Sequence, residues 1–137
     1  MGQHLTGGCA CGSVRYETDA DPMIMLNCHC RECQRASGSA YAAIMVVPKA
    51  AVQLRGEPRF HKVTDDSGNA VERGFCSNCG SPVMLKLERL PDALGLLAGS
   101  LDDPSQFKPT MDIFTASAQP WDHMHPDRQK LRQGLSA

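Results

Sequence analysis

Aromatic residues, long apolar runs and an excess of charge of either sign are all scarce in this sequence of 137 residues. The chain has one Trp, two Tyr and four Phe, too few to predict a surface on which nucleic-acid bases stack. Its 14 Lys and Arg are matched by 15 Asp and Glu, whereas proteins that bind phosphate backbones normally carry a basic face. No segment approaches the roughly 20 apolar residues that cross a membrane as a helix. We therefore expect neither nucleic acid nor a membrane as a partner.

Short segments of strand length, separated by turn residues, dominate the rest of the pattern. They lie at 13–17, 39–47, 52–54, 59–63, 71–75, 82–87, 94–98 and 108–114. Helical signals are limited to one turn at 30–36 and a short segment at 127–133. Many short strands with few helices predict a mainly β fold of antiparallel sheets, and the length fits a single domain, 1–137.

Seven cysteines in three tight clusters are the most informative feature of the chain. The clusters are Cys9 with Cys11, Cys28 with Cys30 and Cys33, and Cys76 with Cys79. An odd count, without an apolar leader typical of a signal peptide, argues against a disulfide framework. In a reducing cytosol such spacing is typical of metal or catalytic sites, with redox thiols as the alternative. We therefore expect a cytoplasmic protein whose cysteines bind zinc, a metal that usually takes four ligands of this kind.

The first and third clusters together provide one complete set of four ligands. Residues i and i+2 of a strand share a face, so a strand would allow Cys9 and Cys11 to bind one metal. Cys76 and Cys79 are spaced as in a tight metal-binding turn. The competing arrangement pairs the last two cysteines of the middle cluster with the third cluster and leaves three thiols unused. Spacing mildly favours the first arrangement.

The favoured arrangement leaves Cys28, Cys30 and Cys33 on one loop. Zinc with three thiolates has one open position and a net charge of about −1, which makes it a weaker Lewis acid than a hydrolytic zinc. It suits a substrate thiol, because sulfur is a soft ligand. We therefore expect thiol chemistry, with these three cysteines as the catalytic residues. Arg31 and Arg35 either offset the excess negative charge or form a solvated helical face.

Three ordered segments carry a resemblance to a known family. They are GGCACGSVRY at 7–16, NCHCRECQRASG at 27–38 and FCSNCGS at 75–81. Together they resemble the glutathione-dependent formaldehyde-activating enzyme family, which also includes centromere protein V. The resemblance extends from about residue 5 to about residue 121, where it leaves 122–137 as a C-terminal tail.

The resemblance implies a small zinc-stabilised fold of the β-tent type, with two zinc ions per chain. A structural zinc is expected at Cys9, Cys11, Cys76 and Cys79, and a catalytic zinc at Cys28, Cys30 and Cys33. The implied activity, that of S-(hydroxymethyl)glutathione synthase, joins glutathione to formaldehyde and is classed as a carbon–sulfur lyase reaction. Asp112 departs from the pattern, because many relatives have histidine there, so the substrate is expected to differ if that histidine takes part.

Other functions fit the same residues. The chain is alternatively a zinc-stabilised binding module, or a sensor that loses zinc when its thiols are oxidised. His29 is a candidate proton donor, although its place between two ligands favours a supporting or solvent-facing position. The expected partners are a glutathione-like thiol and a small aldehyde or related electrophile, and a homo-oligomer is left open.

Overall fold

The structure, a computed structural model, describes residues 4–135. Its strands are β1 (Leu5–Gly8), β2 (Arg15–Thr18), β3 (Ile24–Cys28), β4 (Ala42–Pro48), β5 (Gln53–Arg55), β6 (Arg59–Thr64), β7 (Ala70–Phe75), β8 (Pro82–Leu87), β9 (Leu90–Leu97), β10 (Met111–Ile113) and β11 (Gln129–Lys130). One short α-helix, α1 (Arg31–Ser37), follows β3. One-turn 3-10 helices lie at Lys49–Ala51, Ala98–Ser100, Pro104–Gln106 and Thr115–Ser117. The expectation of a mainly β fold is confirmed.

The strands form two sheets. The smaller sheet has the order β1-β2-β5, and the larger has the order β11-β10-β3-β4-β9-β8-β7-β6. Strand pairs are antiparallel except at one edge of the larger sheet, where β10 runs parallel to both β3 and β11. No helix of residues 4–135 combines the length and apolar character needed to cross a membrane.

Strand β4 is buried on both faces and separates two apolar clusters. Met45 and Val47 pack with residues of the smaller sheet, whereas Ile44 and Val46 pack on the opposite side. This alternation is the period of two expected of a strand. The first apolar cluster includes two cysteines of the four-cysteine set, and the second includes all of the middle cysteines. The two groups of cysteines therefore lie against different parts of the core.

Gly7 of the smaller sheet forms an isolated antiparallel bridge with Leu101, which follows β9 and the 3-10 helix after it. A Cβ atom at Gly7 would lie 2.4 Å from the carbonyl oxygen of Ser100 and 2.4 Å from the hydroxyl of Tyr16. The Tyr16 hydroxyl is 2.7 Å from Ser100 Oγ, and burial of the ring raises the pKa of Tyr16 to about 12. Only glycine fits at this contact without displacing backbone.

The helix predicted at 127–133 is wrong, because part of this segment is strand β11. Its backbone groups pair with β10 and the residue after it. Leu131 N–H donates to Asp112 O at 2.9 Å, and Phe114 N–H donates to Gln133 O at 3.0 Å. The helix predicted at 30–36 is present as α1. Strands β1 and β3 were not predicted, and the glycines of β1 occupy close contacts rather than a turn.

Candidate metal centres

The structure brings together Cys9, Cys11, Cys76 and Cys79, whose Sγ atoms all lie within 4.8 Å of one another. The Sγ of Cys11 is 3.6 Å from that of Cys9 and 3.8 Å from that of Cys76. A zinc–sulfur bond of about 2.3 Å places the sulfurs of a tetrahedral site about 3.8 Å apart. The spacing and chemistry of this donor set therefore fit a zinc ion.

Two turns present these four thiols, so the expectation that Cys9 and Cys11 lie on a strand is wrong. They follow β1 in a turn that closes at Gly12, where φ is 83°. The second turn follows β7 and closes when Gly80 N–H donates to Cys76 O at 2.8 Å. The left-handed conformation at each turn end favours glycine, since it has no Cβ.

Hydrogen bonds favour the ionised form of two of these thiols. Ser13 and Asn78 lie 3.2 and 3.4 Å from Cys11 Sγ, and they lower the pKa of Cys11 to about 5. Ser81, 3.2 Å from Cys79 Sγ, lowers the pKa of that thiol to about 7. Backbone hydrogen bonds from Cys79 and Asn78 favour the thiolate of Cys76, but burial and hydrogen bonds with Cys9 and Cys11 raise its pKa. The thiolate is the form that binds metals, and Cys11 and Cys79 favour it.

The structure brings Cys28, Cys30 and Cys33 together in a second cluster with Sγ atoms within 4.8 Å of one another. Cys28 ends β3, Cys30 caps the N-terminus of α1, and Cys33 lies in its first turn. All three are buried, with 5%, 1% and 4% of their surface exposed. In the described part of the chain, no fourth His, Cys, Asp or Glu joins the set. The donors fit a soft metal ion with one coordination position left for another ligand.

The thiols of this second cluster differ in acidity. The pKa of Cys33 is well below its ordinary value, mainly because of hydrogen bonds with Cys28 and Cys30. The guanidinium of Arg73, with Nη2 at 3.4 Å from Cys33 Sγ, acts in the same direction. Hydrogen bonding to its two neighbours, together with burial, raises the pKa of Cys28 well above its ordinary value. Arg73 thus supplies positive charge where the cluster is most acidic.

The side chain of His29 is fully buried, so the solvent-facing alternative for it is wrong. Its Nε2 lies 2.8 Å from Asp112 Oδ1, and its Nδ1 lies 3.0 Å from Asp122 Oδ2. Asp112 also accepts a hydrogen bond from Arg128 Nε at 2.9 Å. Burial opposes ionisation of Asp112, but the bonds from Arg128 and His29 lower its pKa. This network holds the backbone between Cys28 and Cys30 in place.

A family model described as glutathione-dependent formaldehyde-activating enzyme matches residues 4–117. The chain belongs to this family. Proteins similar in sequence to this chain include one from Penicillium rubens and one from Halomonas elongata. Both are named "Putative glutathione-dependent formaldehyde-activating enzyme". The first is 29% identical over 83 residues, covering 59% of this chain and 43% of the relative. The second is 27% identical over 103 residues, covering 72% of this chain and 66% of the relative.

The chain thus spans 43% of the length of the first relative and 66% of the length of the second. A crystal structure of a Rhodobacter sphaeroides protein is similar in fold, with a TM-score of 0.57 and 20% sequence identity. The similarity covers 74% of this chain and 93% of that one. It supports the assignment of the fold.

The family motifs do not by themselves identify all the residues around the second cluster. Arg31 contacts the side chain of Gln34, a buried residue whose amide donates to His29 O at 2.8 Å and Ser117 O at 2.9 Å. Arg35 lies on the exposed face of α1. Sequence reasoning missed Gln34 and Arg73. The signal that points to Arg73 in the sequence is its position as a charged residue in a strand that ends at a cysteine cluster.

Two cavities meet near the second cluster, but only the smaller one is lined by its cysteines. A wide groove of about 1360 Å³ is lined by parts of both sheets and α1, including Arg35, Tyr41 and Arg59. A small cavity of about 50 Å³ is lined by the three cysteines and by aliphatic residues such as Leu26 and Val46. The two cavities share Arg73 and Leu85 as lining residues.

Proposed function

We propose that this protein is a zinc-dependent carbon–sulfur lyase that joins a glutathione-like thiol to a small aldehyde or related electrophile. The observation that carries this proposal is the buried set of Cys28, Cys30 and Cys33, which has no fourth protein ligand among residues 4–135. Membership of a family described as glutathione-dependent formaldehyde-activating enzymes supports the same reaction type. The activity closest to the proposal is that of S-(hydroxymethyl)glutathione synthase.

We assign two zinc ions to each chain. The structural ion belongs at Cys9, Cys11, Cys76 and Cys79, and the catalytic ion at Cys28, Cys30 and Cys33. At the second cluster, zinc would supply an open position that holds a substrate thiol as a thiolate.

The residues around the second cluster support this chemistry in distinct ways. Arg73 offsets part of the negative charge of three thiolates, because its Nη2 is 3.4 Å from Cys33 Sγ. Asp112 holds His29 at the cysteine loop through the hydrogen bond to its Nε2, and Nδ1 lies 3.0 Å from Asp122 Oδ2, so we assign the ring a supporting role. Aliphatic residues around the small cavity limit the access of water.

The alternative functions are less well supported by the surroundings of the cysteines. Sensor thiols are solvent-accessible, whereas these three are buried and line a cavity of about 50 Å³ that has room for a small substrate. A closed site in a binding module requires a fourth ligand, and His29 does not join the cysteines, since its Nε2 is bonded to Asp112. We place the activity in a reducing compartment such as the cytoplasm, because all seven cysteines are free thiols.

The experiment that tests the proposal is ¹H exchange NMR of a mixture of glutathione and formaldehyde. The zinc-loaded protein should accelerate exchange between formaldehyde and the S-hydroxymethyl adduct above the uncatalysed rate. Cysteine and cysteamine then replace glutathione in turn, and aldehydes of two or three carbons replace formaldehyde. These mixtures also detect a different substrate pair. The proposal fails if the zinc-loaded protein accelerates exchange for none of these pairs.

A further inference from the structure

Arg73 is a cation with an unusual set of neighbours. It lies on β7, three residues before Cys76, and its Nη2 is 3.4 Å from Cys33 Sγ. None of the ion pairs in residues 4–135 includes Arg73. A partly buried guanidinium normally has a carboxylate or another strong acceptor. Here the thiol is the acceptor at one end of the fork.

The other feature of Arg73 is its Nε–H, which is buried and has no hydrogen-bond partner among the described residues. A buried donor without an acceptor costs about 1–3 kcal/mol, and more when it is charged. A buried donor of this kind calls for an explanation, such as a catalytic role or an acceptor that binds there. Arg73 lines two cavities from which an oxygen acceptor would reach its Nε–H.

The cavities beside Arg73 are the routes by which such an acceptor reaches its Nε–H. Arg73 lines both the wide groove and the small cavity, whereas the three cysteines line only the small one. A volume of about 50 Å³ is room for only a few water-sized groups, since one water requires about 10–15 Å³. The small cavity therefore has room for a small carbonyl compound beside the sulfur of a thiol, and the rest of a peptide-sized thiol has room only in the groove.

We propose that Arg73 is a catalytic residue that binds the carbonyl oxygen of the aldehyde through its Nε–H while its Nη2 contacts Cys33. This assignment rests on the proposed function. The sulfur of the thiolate forms the new bond to the carbonyl carbon, and the π electrons of the C=O bond move to oxygen. Arg73 stabilises the resulting negative charge without losing a proton. Water accepts the thiol proton and supplies the proton that the oxygen finally takes.

The test begins with Arg73→Gln and Arg73→Lys, and Arg55→Gln is the matched control. Arg55 is an exposed arginine of β5 that lines neither cavity. Loss of one preorganised donor to a developing oxyanion lowers kcat by about 10²–10³. Arg73→Gln should show that loss with zinc content unchanged, and Arg73→Lys a smaller one, because the charge remains without the planar fork. The KM for the thiol should stay within about twofold of its original value.

A second readout does not depend on turnover. Formate, a planar one-carbon oxygen ligand, is titrated into zinc-loaded protein in which the arginine side chains carry ¹⁵N. The Nε–H resonance that disappears in Arg73→Lys should shift on titration, whereas the resonance of Arg55 should not.

The outcomes separate this inference from the proposed function. Retention of kcat within threefold in Arg73→Gln overturns the role, and so does loss of one zinc, because Arg73 would then serve metal retention. Lack of turnover for every thiol and aldehyde pair in the unmodified protein overturns the proposed function. In that event, a formate shift at Arg73 supports an oxygen-binding role in a different reaction, and no shift overturns it.

Discussion

Nε2 of His29 lies 2.8 Å from Oδ1 of Asp112, and both side chains are completely buried. The second oxygen of the same carboxylate accepts a hydrogen bond from Arg128 Nε at 2.9 Å. Asp112 therefore joins the cysteine loop to the C-terminal segment, which pairs with β10 through β11. Arg128 supplies the charge opposite to that of Asp112.

We expect Asp112→Asn to destabilise the protein by about 3 kcal/mol, since removing one partner from a buried charged pair leaves the others uncompensated. Urea unfolding of the zinc-loaded protein measures the change in the free energy of unfolding. Asp127→Asn is the control, because Asp127 is exposed in the same segment, and it should change stability by less than about 0.5 kcal/mol. Equal stability of the two variants would contradict the network.

Substitution of single cysteines should separate the two clusters. Cys30→Ser should bind one zinc fewer and lose activity but keep its melting temperature within a few degrees, because serine also caps helix N-termini well. Cys76→Ser should unfold at a much lower temperature, since a structural zinc contributes on the order of 10–16 kcal/mol of apparent binding free energy. Metal analysis and circular dichroism melting measure both effects. Unfolding of Cys30→Ser would assign a structural role to the second cluster.

Gly7→Ala should destabilise the contact between the two sheets by about 1–3 kcal/mol, as expected of overpacking. The added Cβ would lie 2.4 Å from a backbone oxygen, which cannot rotate away. Gly99→Ala is a close control, because nothing lies within 4 Å of the position of its Cβ. Thermal unfolding compares the two, and the interpretation of Gly7 fails if both variants melt together.

The ion pair between Arg15 and Asp102 should give a pH-dependent contribution to stability. Hydrogen bonds from Arg15 and then Thr6 lower the pKa of Asp102 from 3.8 to about 2. A carboxyl whose pKa is lowered on folding stabilises the native state fully above its unfolded pKa and progressively less below it. The difference in unfolding free energy between the unmodified protein and Asp102→Asn should therefore be constant above about pH 5 and shrink from pH 4 towards 2.

The size of that difference should stay below about 1 kcal/mol, because both side chains are partly exposed and solvent screens the attraction between them. Asp92→Asn, at an exposed position of β9, provides the reference curve. A difference that grows as the pH falls would have the wrong sign for this assignment.

Much of the fold could be predicted because its strands are short and their ends carry turn residues. The strand predicted at 82–87 coincides with β8 (Pro82–Leu87), and Gly80 marks its beginning with a left-handed turn. Spacing mildly favoured the grouping of the cysteines and the family resemblance implied it, and the structure brings together the same sets.

The surroundings of the second cluster could not be predicted in the same way. His29 is buried against a carboxylate 83 residues away, and no local pattern predicts that distance. Strand β11 is extended because β10 offers it hydrogen-bond partners. Those partners are distant in sequence, so the local pattern at 127–133 predicted a helix instead. Arg73 reaches Cys33 across 40 residues.

The two cysteine clusters also differ in how much of the chain they enclose. Cys11 and Cys76 are 65 residues apart, so an ion shared between them closes a long loop. Closing a loop of that length removes about 4 kcal/mol of configurational entropy from the unfolded chain. The second cluster spans only 28–33 and encloses almost no chain. An ion at the first cluster therefore restrains the unfolded ensemble, whereas one at the second leaves that ensemble nearly as free as before.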